Sequence, residues 1–456
     1  MEEESTTQEQ TLSRSLEGRH IQMIAIGGAI GTGLFLGSGS AIHEAGPSII
    51  LAYMIAGFFC FFMMRAIGEL LLSDTTKHSF LDFIRIYLGD RFEFVTGWAY
   101  WLCWITVAMA DLTASGIYIK YWLPSVPQWL SALIILLVLF SMNFVNVKLF
   151  GEMETGFSMI KIIAIIALVV VGVGMAFFHA PVEGGNAGFT NLVSHGGFFP
   201  TGFKGFLMSF QMVIFAFVGI EMVGLTAGEA AEPEINLPKA INSLPIRIGL
   251  FYVGSMIAIM SVYSWNKIST TSSPFVQVFS GIGINGAAGI LNFVVLTASL
   301  SATNSCLFST SRTLYSLSLK GNAPKKFKLI GRNGVPVWAL MFSAAALLVI
   351  VALNFFIPSN VFSLISTVST INFIIVWMIL IWTHLLFRKQ NPSGIKIFKM
   401  PLYPFSNYIS LAFFTAILLL LLYIRTTRVP MIITIIFWIV MLSVYHKNND
   451  RDAEIS

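Results

Sequence analysis

Charge is what this sequence is shortest of. Asp, Glu, Lys and Arg make up 11% of its 456 residues, against roughly 25% in a soluble domain. Most of the chain therefore has no aqueous surface to decorate, and a soluble protein is excluded. Cysteine is scarce as well: Cys60, Cys103 and Cys306 sit in apolar runs at no metal-ligand spacing. They read as small buried hydrophobes and say nothing about redox compartment. The histidines, at 20, 43, 78, 179, 195, 384 and 446, fall near helix ends or loops without ligand spacing, which leaves neither a metal site nor a histidine base. No segment pairs two carboxylates or sets a nucleophile beside a base. The expectation is no catalytic residue, no enzyme, no metal and no organic cofactor.

What is present is apolar length. Hydrophobic residues are 56% of the chain and the mean hydropathy is +0.80. At ~20 apolar residues per span, about twelve helices fit once loops are allowed for, so the expected fold is an all-α polytopic membrane protein. The apolar segments run at about 21–42, 47–72, 93–122, 128–146, 155–178, 204–227, 240–263, 284–318, 337–356, 361–386, 404–424 and 429–446. Turns punctuate them, as at Ala45-Gly46-Pro47, Leu123-Pro124 and Ile357-Pro358. The acidic, polar start has no basic region or cleavage site ahead of an apolar core, so it is expected to be a disordered tail and no cleaved signal peptide.

The net charge of +5 is a matter of placement. With the N-terminus in the cytoplasm, and intramembrane Lys161 set aside, the outer side keeps Lys120, Lys204, Lys267, Arg425 and Arg428 and the inner side takes every other Lys and Arg. This positive-inside bias places both termini in the cytoplasm of a multi-pass plasma-membrane protein. No nucleic acid is needed to explain the basic balance.

Two spans carry weak points. In the first, Ile26 to Ser40 holds Gly27, Gly28, Gly31, Gly33, Gly37 and Gly39 around Thr32, and the helix is expected to unwind at Gly31-Thr32-Gly33. The sixth is expected to break at Phe217-Val218-Gly219-Ile220-Glu221. A Gly-rich loop at 179–203 separates the first five segments from the next five. Interrupted helices at matching places in two halves point to a transporter's binding site, and an odd number of spans per half inverts one half relative to the other. The organisation expected is a tail at 1–18, a first five-helix repeat at 19–178, the outer loop at 179–203, a second repeat at 204–386, two extra helices at 387–446 and a tail at 447–456.

Unwound backbone in lipid must find partners, and a ligand is the functional reading. A half-helix starting after Gly33 aims free N–H groups at a carboxylate, while carbonyls near Ala29, Phe215 and Val218 suit an ammonium. Together they form a receptor for a zwitterion, with Gly31, Phe217 and Gly219 at the breaks. The alternative is a helix-packing seam, since Gly27-xxx-Gly31 and Gly33-xxx-Gly37 fit the close-approach pattern. Glu221 beside the second break and Asp111 in the third span are intramembrane carboxylates, candidates for coupling or gating; capping a loosened turn or serving as a buried polar partner are the structural alternatives. Lys161 in the fifth span is either a desolvated proton carrier or a snorkelling side chain. Arg65 and Glu69 are spaced for an intrahelical ion pair. The polar run Ser299, Ser301, Thr303, Asn304, Ser305 either lines a cavity, with Asn304 touching substrate, or joins helices.

These residues also carry a resemblance. IAIGGAIGTGLFLGSG at 24–39, then AGPSII, MRAIGELLLS, KLFGEME with IKIIAI, FAFVGIEMVG with LPKAIN, and STSRTLYSLS with GNAP resemble, in order, the amino acid permeases of the amino acid–polyamine–organocation superfamily, over about 14–445. MAD at 109–111, INSLPIRI at 241–248, SPFVQVF at 273–279 and NFVVLTAS at 292–299 are most similar to the D-alanine/D-serine/glycine transporters and related serine and alanine permeases. The departure is SATNSC at 301–306, where relatives more often carry a second small residue and Gly after Asn-Ser, so with Cys306 the resemblance does not fix the fine shape of segment eight.

The resemblance implies a LeuT-like core of five plus five helices with discontinuous helices 1 and 6, two extra helices, and uptake of alanine, serine or glycine, D-forms included, by proton symport. It places the substrate carboxylate at Thr32 and Gly33, the amine at the carbonyls of Ala29, Phe215 and Val218, and Lys161 at the position of a coupling cation. The expected partners are the amino acid, the proton and the lipid bilayer, in a monomer or weak homo-oligomer. The competing readings are a permease for aromatic, basic or GABA-like amino acids and a sensor that binds without transporting.

Overall fold

The computed structural model describes residues 30–77, 79–145, 147–183, 185–221, 232–281, 286–331, 334–392 and 398–455. Helix dominates because a chain this apolar must satisfy its backbone internally. Among the described residues nine helices are long and apolar enough to cross a membrane, and two shorter apolar helices, Gln128–Phe144 and Gly202–Phe217, accompany them. The first half of span one and the second half of span six lie outside the described residues.

The chain enters as α1 (Thr32–Phe35) and α2 (Gly37–Ala45), turns at Gly46 (φ +60°), and continues as α3 (Ile49–Ser73). A short helix comes next, α4 (Phe80–Leu88), which the hydropathy segments skip. Its signal is a capping box: the Ser79 side chain accepts from Leu81 N–H at 3.2 Å, and Asp82 accepts from Ser79 N–H at 3.2 Å. After it run α5 (Asp90–Ile119), α6 (Gln128–Val145) and α7 (Val147–Phe177), then a hairpin of β1 (Pro181–Val182) and β2 (Gly185–Asn186) in the 179–203 loop.

The second half opens with α8 (Gly202–Met208) and α9 (Phe210–Phe217). Beyond the break, α10 (Pro233–Asn242), α11 (Leu244–Arg247), a π-helical turn (Ile248–Val253) and α12 (Gly254–Val262) form one continuous span, which starts earlier than the apolar segment at 240. The remaining helices are α13 (Pro274–Ser280), α14 (Ala287–Leu319), α15 (Val337–Phe356), α16 (Val361–Gln390), α17 (Phe405–Tyr423) and α18 (Arg428–Ile455). The last stays helical through 447–455, beyond its apolar stretch.

The middle of the bundle is α5, packed along α14 and α16. Of their most apolar windows 78% of α5 and 83% of α16 is buried, against 11% for the last span, so α18 sits at the rim and presents its isoleucines to lipid. Polar side chains fasten these layers. Asn372 of α16 donates to Thr434 at 3.2 Å and accepts from the Trp438 indole at 3.1 Å, both on α18.

Two ionic clusters close one end. Lys320 binds Asp82 of α4 and, at 2.7 Å, Glu93 of α5. Burial works against its charge, but the two carboxylates outweigh that and hold its pKa above the ordinary lysine value. Glu69 is not used in the intrahelical pair with Arg65 that its spacing suggested. It accepts from Arg388 at 2.8 Å, from His384 at 3.0 Å and from Met400 N–H at 2.7 Å, while Arg65 turns to Asn242, the Lys399 carbonyl and the face of Phe398.

Candidate substrate site

The glycines at the first break put backbone where side chains would otherwise stand. Gly31 is extended (φ −128°, ψ −165°) and helix begins at Thr32. Leu34 and Phe35 N–H return to the Gly31 carbonyl at 3.2 Å, which leaves the first amides, of Thr32 and Gly33, on the open end of the half-helix. At the second break α9 stops at Phe217, Val218 is non-helical (φ −58°, ψ 135°), and Gly219 takes φ +100°, a conformation that favours glycine. The last carbonyls are partly occupied: Phe215 accepts from Val218 N–H at 3.2 Å, and Phe217 from Ile220 N–H at 3.3 Å. A carbonyl has two lone pairs, so the Phe215 oxygen keeps room for a second donor.

The two breaks meet. A Cβ added to Gly33 would lie 2.7 Å from the Ala216 Cα, and one on Gly37 would lie 2.5 Å from the Met212 sulfur. Gly33 and Gly37 thus act as the packing seam that was the alternative reading of this stretch, whereas a side chain on Gly31 would meet nothing within 4 Å. Ala29 lies outside the described residues.

Beside this junction the Thr32 hydroxyl donates to Asp111 Oδ1 at 2.7 Å, and both residues are buried. This bond, between residues 79 apart in sequence, brings the third span to the open helix end. The second oxygen, Oδ2, is buried with no hydrogen-bond partner among the described residues. Lys161 is 1% exposed, so its head does not snorkel to the surface, and it lies within electrostatic reach of Asp111. The Ser158 hydroxyl, one turn earlier on α7, is buried and unpartnered among the described residues. Ser115 and Ser299 share a bond at 2.7 Å and join α5 to α14 next to the same region.

Glu221 closes the other side. Its Oε2 accepts from Gly219 N–H at 3.3 Å, a local cap on the loosened turn, while Oε1 is buried without a partner among the described residues. Trp377 lies beside it without a bond of good geometry, and Tyr100, Cys103 and Cys60 are within its electrostatic reach. Most buried polar atoms in folded proteins have a hydrogen-bond partner, so the free oxygens of Asp111 and Glu221 set these two carboxylates apart.

Two of the residues expected to touch substrate also have partners within the protein. The Asn304 Oδ1 accepts from Asn143 of α6 at 2.8 Å, which serves the helix-joining alternative. The Phe217 ring is fully buried and stacks on Tyr252, centroids 4.7 Å apart at 19°. Ser273, which donates to the Phe35 carbonyl at 2.6 Å from the loop before α13, entered the sequence reading only as the first residue of SPFVQVF, with no role given to it; its Ser-Pro step at a helix start is the signal that marks it.

The chain was compared with known proteins. Residues 20–453 match the family described as amino acid permease. An uncharacterized transporter of Bacillus subtilis (strain 168), YdgF, is 55% identical over 439 residues, 96% of each chain. The amino-acid permease AapA of the same organism is 55% identical over 450 residues, 98% of this chain and 97% of the relative. The D-serine/D-alanine/glycine transporter of Escherichia coli (strain K12) is 47% identical over 438 residues, 95% of this chain and 93% of that one. These relatives are named as transporters and permeases rather than enzymes. A multi-pass helical protein in which the helix that starts at Thr32 packs against the one that ends at Phe217, beside buried Asp111, matched by that family over nearly its whole length, belongs to the amino acid permeases.

Proposed function

We propose that this permease imports small neutral amino acids, among them glycine, alanine and serine and their D-forms, across the plasma membrane by proton symport, with both termini in the cytoplasm. The choice of substrate rests on the similarity to a transporter named for D-serine, D-alanine and glycine. The coupling rests on the buried Thr32–Asp111 bond at the open helix end. The substrate's α-carboxylate docks on the amides of Thr32 and Gly33, and its ammonium on carbonyls at the second break. The incoming carboxylate then shares one helix end with Asp111. Two carboxylates that close do not both stay ionised, so Asp111 takes up a proton as substrate arrives. Lys161, within electrostatic reach of Asp111, is the cation whose balance with that charge changes when the proton arrives. One bundle then rocks against the rest around the filled site. Nothing in this sequence of steps uses a metal or an organic cofactor.

The test is uptake of labelled glycine and of D- and L-alanine and serine into proteoliposomes, with and without an imposed proton gradient. Accumulation is expected when the outside is acid, with loss on adding a protonophore. Accumulation driven by sodium and indifferent to protonophore would remove the proton from the scheme. Binding without accumulation under any gradient would make the protein a sensor.

A further inference from the structure

The geometry points to Tyr252, on the π-helical turn of the seventh span, as a positioning residue for the amine end of the substrate site. The inference rests on the transport reading above, since it concerns the carbonyls that reading assigns to the ammonium. A π-turn adds a residue to a helix and rotates the turns beyond it, and such turns recur at functional sites. Here it lies at Ile248–Val253, between two stretches of ordinary helix. It delivers the Tyr252 hydroxyl to the Ala216 carbonyl, donating at 2.9 Å. The ring of the same residue stacks on Phe217, and Tyr53 of α3 packs against both. Tyr252 is 2% exposed.

Ala216 is the residue against which Gly33 of the first break packs. Its backbone is therefore held from two sides, by the α1 backbone and by the Tyr252 hydroxyl. With one of the last carbonyls of α9 fixed by this hydroxyl and the next side chain fixed by the stack, the peptide planes on either side lose their freedom to rotate. Those planes carry the Phe215 and Phe217 carbonyls, and the Val218 carbonyl follows one peptide further on. Tyr252 thus sets the direction of the ammonium acceptors without touching substrate, and it does so from a helix that neither break contains.

The experiment is glycine exchange in proteoliposomes loaded with unlabelled glycine, which needs no proton gradient, for the wild type and Tyr252→Phe. The phenylalanine keeps the stack and removes the hydroxyl. One neutral hydrogen bond corresponds to about a fivefold change, so KM for glycine is expected to rise about fivefold while the maximal rate stays within about twofold and the elution profile of the purified protein is unchanged. An unchanged KM would overturn the assignment. So would equal damage to KM and maximal rate, because that is what loosened packing produces. A wild type with no saturable glycine exchange would instead sink the glycine reading itself, a result separable from either of those.

Discussion

At the residue scale the site turns on one hydrogen bond. The Thr32 hydroxyl can donate to an amide oxygen as well as to a carboxylate, so Asp111→Asn preserves the contact to Thr32 and removes the charge. We expect Asp111→Asn to bind and exchange substrate but to lose accumulation driven by a proton gradient. Lys161→Met should do the same, because it removes the buried cation within electrostatic reach of Asp111. Comparing equilibrium binding with gradient-driven uptake for each variant checks this; full accumulation in either would return that residue to a packing role. The sequence made Thr32, Asp111, Lys161 and Glu221 visible as polar groups in apolar runs, where their presence is costly. It did not reveal the contact, because nothing local links positions 32 and 111. The bond of Asn304 to Asn143 was hidden for the same reason: an amide in a polar run looks alike whether it faces a cavity or a neighbouring helix.

At the element scale the two breaks and the seam between their helices obey different constraints. Gly33 faces backbone, with an added Cβ only 2.7 Å from the Ala216 Cα, whereas Gly37 faces the flexible end of Met212. Backbone cannot give way without moving α9, and overpacking of this kind costs ~1–3 kcal/mol. A methionine thioether can swing aside, and alanine in a helix is favoured over glycine by ~1 kcal/mol. Gly33→Ala is therefore expected to reduce substrate affinity at least tenfold, and Gly37→Ala to leave it within about threefold, by binding assays on matched amounts of folded protein. Equal losses in both would show that the seam, rather than the backbone contact, limits the site. Glycine spacing marked the breaks because a residue without a Cβ is what such close approach requires. The π-turn and its Tyr252 left no comparable signal, since neither hydropathy nor glycine content changes when a helix gains one residue.

At the scale of the whole molecule, long apolar runs made the spans legible, and their ends were missed wherever polar chemistry extends or replaces a run. α4 is short and amphipathic, α10 begins on Pro233 ahead of its apolar stretch, and Glu69 ties together residues more than 300 positions apart. This last cluster carries a prediction about stability. Asn407 donates to His384 Nδ1 at 3.0 Å, so the neutral His384 bears its proton on Nε2 and donates it to Glu69. Glu69 thus faces three donors, from Arg388, His384 and Met400 N–H, and its charge balances Arg388. Glu69→Gln places an amide N–H₂ against at least one of those donors and leaves the guanidinium buried without its anion. Breaking such a pair costs about 3–5 kcal/mol, whereas removing both charges together is often close to neutral. Glu69→Gln should therefore lower the melting temperature of the purified protein clearly. Glu69→Leu combined with Arg388→Met should recover part of the loss, short of all of it because the Met400 amide keeps no acceptor. If the single and double variants melt alike, the charge balance is not what holds α3 to α16 at this end.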